Sequence, residues 1–275
     1  MRTTTTNNVI IPDEVIRHVA PSVFGLGQDS KRTSDAYQFY PTSEVMNGLR
    51  ASGYEVTSVM EQRVRANGGE ERYQRDTRKH CLRFALRDDI GERFSRESDD
   101  PTRPEIVLIN AHNGTSSYRL MAGVFRLVCA NGMVIADTLF NEIRIRHLST
   151  SPDDVIAASL RIAREAPTVM ASIDAMRGIQ LDENKRGELI ERCAIARFGE
   201  DYTDKVIPRT LMRTWRCEDA EDKSLWRTFN ILQENLTKGG TRTLERHNHR
   251  AIKGIDSNTK LNKELWDIAY SYLPN

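Results

Sequence analysis

The chain has 275 residues, 39% of them apolar, which is enough to bury a sizeable hydrophobic core. Its 40 lysines and arginines nearly balance 39 aspartates and glutamates, so a net charge of +1 excludes a global field that would attract polyanions. No apolar run reaches the ~18 residues of a membrane-spanning helix, and the first residues form a polar Thr/Asn tract, so we predict a cytoplasmic protein without membrane contact.

The predicted elements divide the chain into a β-rich part, 1–150, and a helical part, 151–275, which we expect to form a single α+β domain. The first clear element is a short helix with Thr42 or Ser43 as its cap and Gly53 as its stop. The fold class predicted is α+β, with an N-terminal antiparallel sheet, a packed central helix and a C-terminal helical region.

Several strands are predicted after this helix. The runs "YEVTSVMEQRVR" and "RKHCLRFALRD" are typical of two antiparallel strands, "EIVLIN" of a central strand, and "MVIAD" and "EIRIRHL" of two short ones. Apolar residues alternate with arginines in these runs, so one face of the sheet is predicted to be rich in arginine. This face is a candidate surface for a polyanion; its residues are Arg63, Arg65, Arg83, Arg87, Arg144 and Arg146.

The segment "NAHNGTSSYRLMAGVFRLVCANGM", 110–133, places a Gly/Thr/Ser-rich turn before apolar residues at three- and four-residue spacing. It lacks the glycine spacing and the lysine of a nucleotide-binding loop, so the pattern favours a capped amphipathic helix that ends at Asn131 and Gly132. His112 is expected in a surface turn. The helix start could still hold one phosphate through backbone N–H groups and the hydroxyls of Thr115, Ser116 and Ser117.

Five helices are predicted in the second part, and a basic loop joins the last two. The first helix begins at Ser151, the third at Asp182, and the fourth ends at Gly239 and Gly240. The loop "TKGGTRTLERHNHRAIKG" is predicted to be exposed and mobile, and its basic side chains suit phosphate backbones. A solvated surface loop is an equally good interpretation. The basic residues are Lys238, Arg242, Arg246, Arg250 and Lys253.

Other motifs point to no reaction. The histidines of "RHNHR" are too close together for an HNH nuclease, whose His, Asn and His surround one metal from separate elements. Four widely spaced cysteines without a CxxC pair predict reduced, mostly buried thiols. We therefore predict no catalytic residue, metal or cofactor. The cysteines are Cys81, Cys129, Cys193 and Cys217.

Several longer runs resemble a known family. "RKHCLRFAL", "PEIVLINAHNGTSSYRLMAGVFRLVCANGMV", "LWRTFNILQENLTKGG" and "RAIKGIDSNTKLNKELW" closely resemble family 932 of the domains of unknown function, over about 15–273. The resemblance implies a setting in plasmids, prophages and genomic islands, often beside single-strand-binding and anti-restriction genes. It implies no reaction and no set of active residues.

Two functions from different classes follow as expectations. The first is a nucleic-acid-binding protein of a mobile genetic element that binds or anneals single-stranded DNA through the arginine face and the basic loop. This role would also suit assembly into a homo-oligomer. The second is an anti-defence protein that binds a host defence protein through its segregated acidic segments. A metal-dependent nuclease is a third and weaker alternative.

Overall fold

A computed structural model describes residues 2–5, 9–62, 75–91, 101–126, 131–134, 142–148, 151–214 and 221–274. The chain forms two compact units. The sheet unit comprises Met1–Met133 and Phe140–Ala166, and the helical unit comprises Val134–Leu139 and Pro167–Asn275. The α+β class, with an antiparallel sheet followed by helices, is confirmed.

The described residues of the sheet unit include a seven-stranded sheet. Its order is β1-β2-β3-β4-β5-β6, and β7 pairs with β5 outside this path. The registers of five strand pairs, from β1–β2 to β4–β5 and β5–β7, are antiparallel. The strands are β1 (Arg2–Thr5), β2 (Tyr54–Glu61), β3 (His80–Leu86), β4 (Thr102–Asn110), β5 (Tyr118–Arg126), β6 (Asn131–Val134) and β7 (Ile143–Ile145).

The predicted helix after residue 115 is wrong, because Tyr118–Arg126 is strand β5. This strand pairs with β4 from Arg126 opposite Thr102 to Arg119 opposite Ile109. Both strands are buried on both faces, so their apolar runs are nearly continuous and carry no alternation. A continuous apolar run fits a buried helix or a buried strand equally well, and the β4 partner decides for the strand.

The described residues of the sheet unit form three helices, α1 (Asp13–Val19), α2 (Thr42–Ala51) and α3 (Pro152–Arg164). Helices α2 and α3 approach closely, since a Cβ added at Gly48 would lie 2.2 Å from Ile156 Cδ1. The predicted cap of α2 is wrong. Pro41 is the N-cap, and the Thr42 hydroxyl bonds side chains of the sheet instead.

The helical unit contains α4 (Ala166–Gly178), α5 (Glu183–Phe198), α6 (Leu225–Lys238) and α7 (Ile255–Tyr270). The predicted starts at Ser151 for α3 and Asp182 for α5 are confirmed, because each side chain accepts a bond from a backbone N–H of the first turn. The stop of α6 at Gly239 is confirmed by a φ of 87°. The hydrophobic core of this unit contains three buried aromatic residues of α6 and α7 whose rings contact one another: Trp226, Phe229 and Trp266.

None of the helices in the described ranges combines the length and apolar character required to cross a bilayer. Two of the four cysteines, Cys81 and Cys193, are free and buried as predicted. Cys129 and Cys217 lie outside the described residues.

Candidate anion-binding site

Three of the four described arginines of the predicted arginine face contact carboxylates. Arg83 is buried and ion-paired with Glu105, so it cannot meet a polyanion as predicted. Arg87 contacts Glu55 at 2.5 Å, and Arg144 contacts Glu142 at 3.0 Å. The partners are on neighbouring strands or just before β7, which the pattern of a single strand does not reveal. Arg146 also has a partner, and Arg63 and Arg65 lie outside the described residues.

The turn at 113–117 offers no helix start, because β5 follows it. Asn113 Oδ1 accepts bonds from the backbone N–H and the hydroxyl of Thr115, at 3.2 and 2.6 Å. The hydroxyl of Ser116 donates to the carbonyl of Ser117. Gly114, with a φ of 74°, completes a hairpin connection between β4 and β5. The predicted anion site at Thr115, Ser116 and Ser117 therefore loses the helix dipole on which it depended.

A buried polar cluster lies where β3 begins and β4 ends, and the sequence did not predict it. The Arg78 carbonyl, 3.0 Å from His80 Nδ1, can only accept, so Nδ1 carries the proton. His80 Nε2 then accepts from the Thr42 hydroxyl at 2.9 Å, and Thr42 accepts from Asn110 Nδ2. Asn110 Oδ1 accepts from His147 Nε2 at 2.8 Å. These contacts join the start of α2 to three segments of the sheet unit.

His112 belongs to the same cluster, and its predicted place in a surface turn is wrong. Its ring is fully buried, with the ring centroids of His80 and His147 at 5.6 and 6.1 Å. Burial lowers the pKa of His112 to about 2, and those of His80 and His147 to about 4. The rings are therefore neutral at pH 7. In the part of the chain that the structure describes, no three His, Cys, Asp or Glu residues are placed to hold a metal ion.

The strongest candidate site is an open cleft of about 390 Å³ in the helical unit, which we call the arginine cleft. Four arginines line the cleft, and they come from two segments that are distant in sequence. Within the described ranges, no carboxylate forms an ion pair with Arg209, Arg242 or Arg246. All four arginines are exposed. The lining residues are Ile207, Arg209, Thr210, Arg213, Arg242 and Arg246.

One wall of the cleft is a small antiparallel ladder, 241–249, which we call the basic hairpin. His249 donates its backbone N–H to the Thr241 carbonyl, and Thr243 donates to the His247 carbonyl, at 2.9 and 2.8 Å. Arg242 pairs with Asn248 between these two bonds. The segment predicted as a mobile loop thus has defined backbone pairing, so Arg242 and Arg246 project from a fixed frame.

The opposite wall, 207–213, is bonded directly to the hairpin. Ile207 donates its N–H to the Arg242 carbonyl at 2.9 Å, and Arg242 donates to the Thr210 hydroxyl at 3.1 Å. Buried Asn235 on α6 donates to the carbonyls of Leu211 and Arg213, both at 2.9 Å. The positive charges of the four arginines repel one another at short distance. These hydrogen bonds hold the two walls together in spite of that repulsion.

Glycine is required where α6 meets the hairpin. A Cβ added at Gly239 would lie 2.3 Å from the His249 carbonyl oxygen, and its φ of 87° is strained for other residues. Gly239→Ala is therefore expected to lower the free energy of unfolding by about 1 to 3 kcal/mol. Urea unfolding measures this loss, with Gly187→Ala as the control, since nothing lies within 4 Å of a Cβ there. Equal stability of the two variants would contradict a tight contact at Gly239.

Two of the five predicted loop residues line the cleft, and two further arginines come from elsewhere. Lys238, Arg250 and Lys253 are exposed but do not line it. Arg209 and Arg213 were missed because about 30 residues separate them from the hairpin. The single-sequence signal for them is weak, consisting of two arginines four positions apart after Pro208.

The fold and the cleft define an α+β protein with an arginine-lined site in its helical unit. The chain belongs to the family described as "Domain of unknown function (DUF932)", whose profile matches residues 31–266 and thus the whole cleft. It is 33% identical over 265 residues to UPF0380 protein YafZ of Escherichia coli K12, and 32% identical over 265 residues to UPF0380 protein YfjQ of the same strain. Each comparison covers 94% of this chain and 90% of the relative. No solved structure matches.

Proposed function

We propose that the protein binds single-stranded DNA by its phosphate backbone through the arginine cleft, in the service of a mobile genetic element. The observation that carries this proposal is the convergence of four exposed arginines, three of them without a carboxylate partner in the described ranges, on one cleft. The resemblance to a family of plasmid and prophage proteins is consistent with such a ligand.

The chemistry of guanidinium supports a phosphate ligand. Each group presents a planar set of N–H donors that matches two phosphate oxygens, and it remains charged at any physiological pH. Among the residues that the structure describes, no carboxylate has to leave Arg209, Arg242 or Arg246 before binding. Because the net charge is only +1, the attraction is local to the cleft.

The concave shape favours a single strand over a duplex. Proteins that bind single strands hold one backbone in a basic groove, whereas duplex readers insert a helix or ribbon into the major groove. A cleft of about 390 Å³ with an arginine on each wall suits one backbone. The fixed hairpin reduces the entropy lost on binding, since its backbone is already paired.

The proposal is tested by fluorescence anisotropy with labelled single- and double-stranded oligonucleotides at about 50 and 200 mM salt. The double variant Arg242→Gln/Arg246→Gln is expected to bind the single strand about 100-fold more weakly, because two charge-assisted contacts are lost. The slope of log affinity against log salt should fall by about 1.4, which corresponds to two phosphate contacts on a single strand.

The matched control removes two exposed arginines of α3, Arg161→Gln/Arg164→Gln, and changes net charge equally. It should bind almost as the wild type does. Arg246→Gly is a second variant that removes a guanidinium. Glycine adopts the positive φ of 65° at this position without strain, so weaker binding by this variant would not result from misfolding. No binding to either oligonucleotide at low salt, or equal losses in both double variants, overturns the proposal. If the protein binds neither oligonucleotide and instead captures a host defence protein, the result would favour the anti-defence alternative.

A further inference from the structure

The tip of the basic hairpin presents an apolar side chain beside the cleft. Leu244 is 54% exposed and lies between Arg242 and Arg246 in the chain. It does not line the cleft itself. About half of its surface remains in water, so it gains only part of the free energy of a fully buried leucine. Single exposed leucines are common on protein surfaces, and the distinguishing feature of Leu244 is its place between two arginines that line the cleft.

The backbone of the tip is held in a strained turn. Arg246 has a φ of 65° and is the only residue other than glycine with a positive φ in the described ranges. Its N–H donates to the Thr243 carbonyl at 2.9 Å, and the N–H of His247 donates to the Thr243 hydroxyl at 3.2 Å. This is the three-residue hairpin loop in which glycine usually occupies the left-handed position. An arginine kept at that position places a guanidinium in the cleft while Leu244 stays in solvent.

We propose that Leu244 packs against the nucleobases of the strand whose phosphates the arginine cleft holds, as an apolar wedge between neighbouring bases. This inference rests on the proposed function. In a single strand, the bases lie on the other side of the sugar from the phosphates, so phosphates on Arg242 and Arg246 would turn bases toward the rim. Apolar side chains such as leucine insert between base steps in other nucleic-acid complexes, where they partly unstack them.

The contact would not read sequence, because a leucine has no hydrogen-bonding group with which to distinguish base edges. It would distinguish a strand that carries bases from a bare sugar-phosphate chain. The neighbouring carboxylate does not occupy the cleft, since Glu245 is 85% exposed and its described partner is His247, at 3.9 Å. The ligand class is therefore single-stranded nucleic acid with accessible bases, in any sequence.

The test compares two oligonucleotides of one length, oligo-dT and a strand of abasic sites, with wild type and Leu244→Ala. Wild type is expected to bind oligo-dT about three- to tenfold more tightly than the abasic strand, from partial burial of one leucine. Leu244→Ala should lose this preference and bind the abasic strand unchanged. Leu148→Ala, at a residue 43% exposed in the sheet unit, is the matched control and should keep the preference.

A second readout is the fluorescence of 2-aminopurine within the strand, which rises when the base is unstacked. It should rise with wild type and less with Leu244→Ala. Equal wild-type affinity for both strands, or an unchanged preference in Leu244→Ala, overturns the inference and leaves the proposed function intact. No binding of either strand overturns the proposed function itself. Self-association lost in Leu244→Ala, with base preference unchanged, would show that a second copy covers the leucine and would likewise overturn the inference.

Discussion

Glu105→Ala is expected to lower the free energy of unfolding by about 3 to 5 kcal/mol, because it removes the buried carboxylate that two buried guanidinium groups share. The side chains of Glu105 and Arg103 are fully buried, and that of Arg83 is 8% exposed. Glu105 accepts from Arg83 at 2.5 Å, from Arg103 at 3.2 Å and from the Thr57 hydroxyl at 3.1 Å. Both guanidiniums also lie over the ring of Phe125.

Urea unfolding at pH 7 measures this effect. Glu188→Ala is the control, because its carboxylate is 59% exposed and lies 3.8 Å from Arg192 one helical turn away. The control should cost at most about 0.5 kcal/mol. Glu105→Gln keeps the volume and removes only the charge, so it separates electrostatics from packing. If Glu105→Ala and Glu188→Ala were equally stable, the buried ion cluster would contribute nothing to the fold.

Lowering the pH from 7 to 5 is expected to destabilise the fold by about 2 kcal/mol for each of the three buried histidines. Burial lowers the pKa of His80 and His147 to about 4 and that of His112 to about 2, against 6.5 for an exposed histidine. Between pH 6.5 and 4 the unfolded chain binds these protons and the folded chain does not. The free energy of unfolding is therefore highest above pH 6.5 and decreases as the pH falls toward 4.

One neighbouring carboxyl acts in the opposite direction. Burial raises the pKa of Glu61, which accepts a bond from the hydroxyl of Ser22 beside His80. The folded chain therefore keeps a proton on Glu61 at a pH above 4.5, where the unfolded chain has lost it. This contribution is present below pH 4.5 and is lost as the pH rises, so it offsets part of the histidine effect.

Urea unfolding at pH 7, 6 and 5 gives the slope of stability against pH. His147→Gln should reduce this slope, because one of the titrating imidazoles is absent. His18→Gln, at an exposed position on α1, is the matched control for removal of a histidine. A free energy of unfolding that does not change between pH 7 and 5 would contradict the lowered pKa values of the three buried histidines in the folded state.

The sequence by itself determined the α+β class, strands such as β2, β3 and β4, and the capped ends of helices α3, α5 and α6. These features are local, so the residues that decide them lie within one turn of one another. Asp182 bonds a backbone N–H three residues on, and Gly239 adopts the left-handed conformation that ends α6. The family was also recognisable, because long runs of the chain carry its pattern.

The tertiary structure alone decided which charged and polar groups meet. Helical spacing in 118–126 gave way to a strand because β4 offered a full register of backbone partners. Arg83 is paired with Glu105 on the neighbouring strand, a contact that the pattern of one strand does not reveal. Arg209 joined Arg242 and Arg246 because backbone bonds link two distant segments. Coulomb and hydrogen-bond energies depend on distance in space, and one-dimensional spacing does not contain that distance.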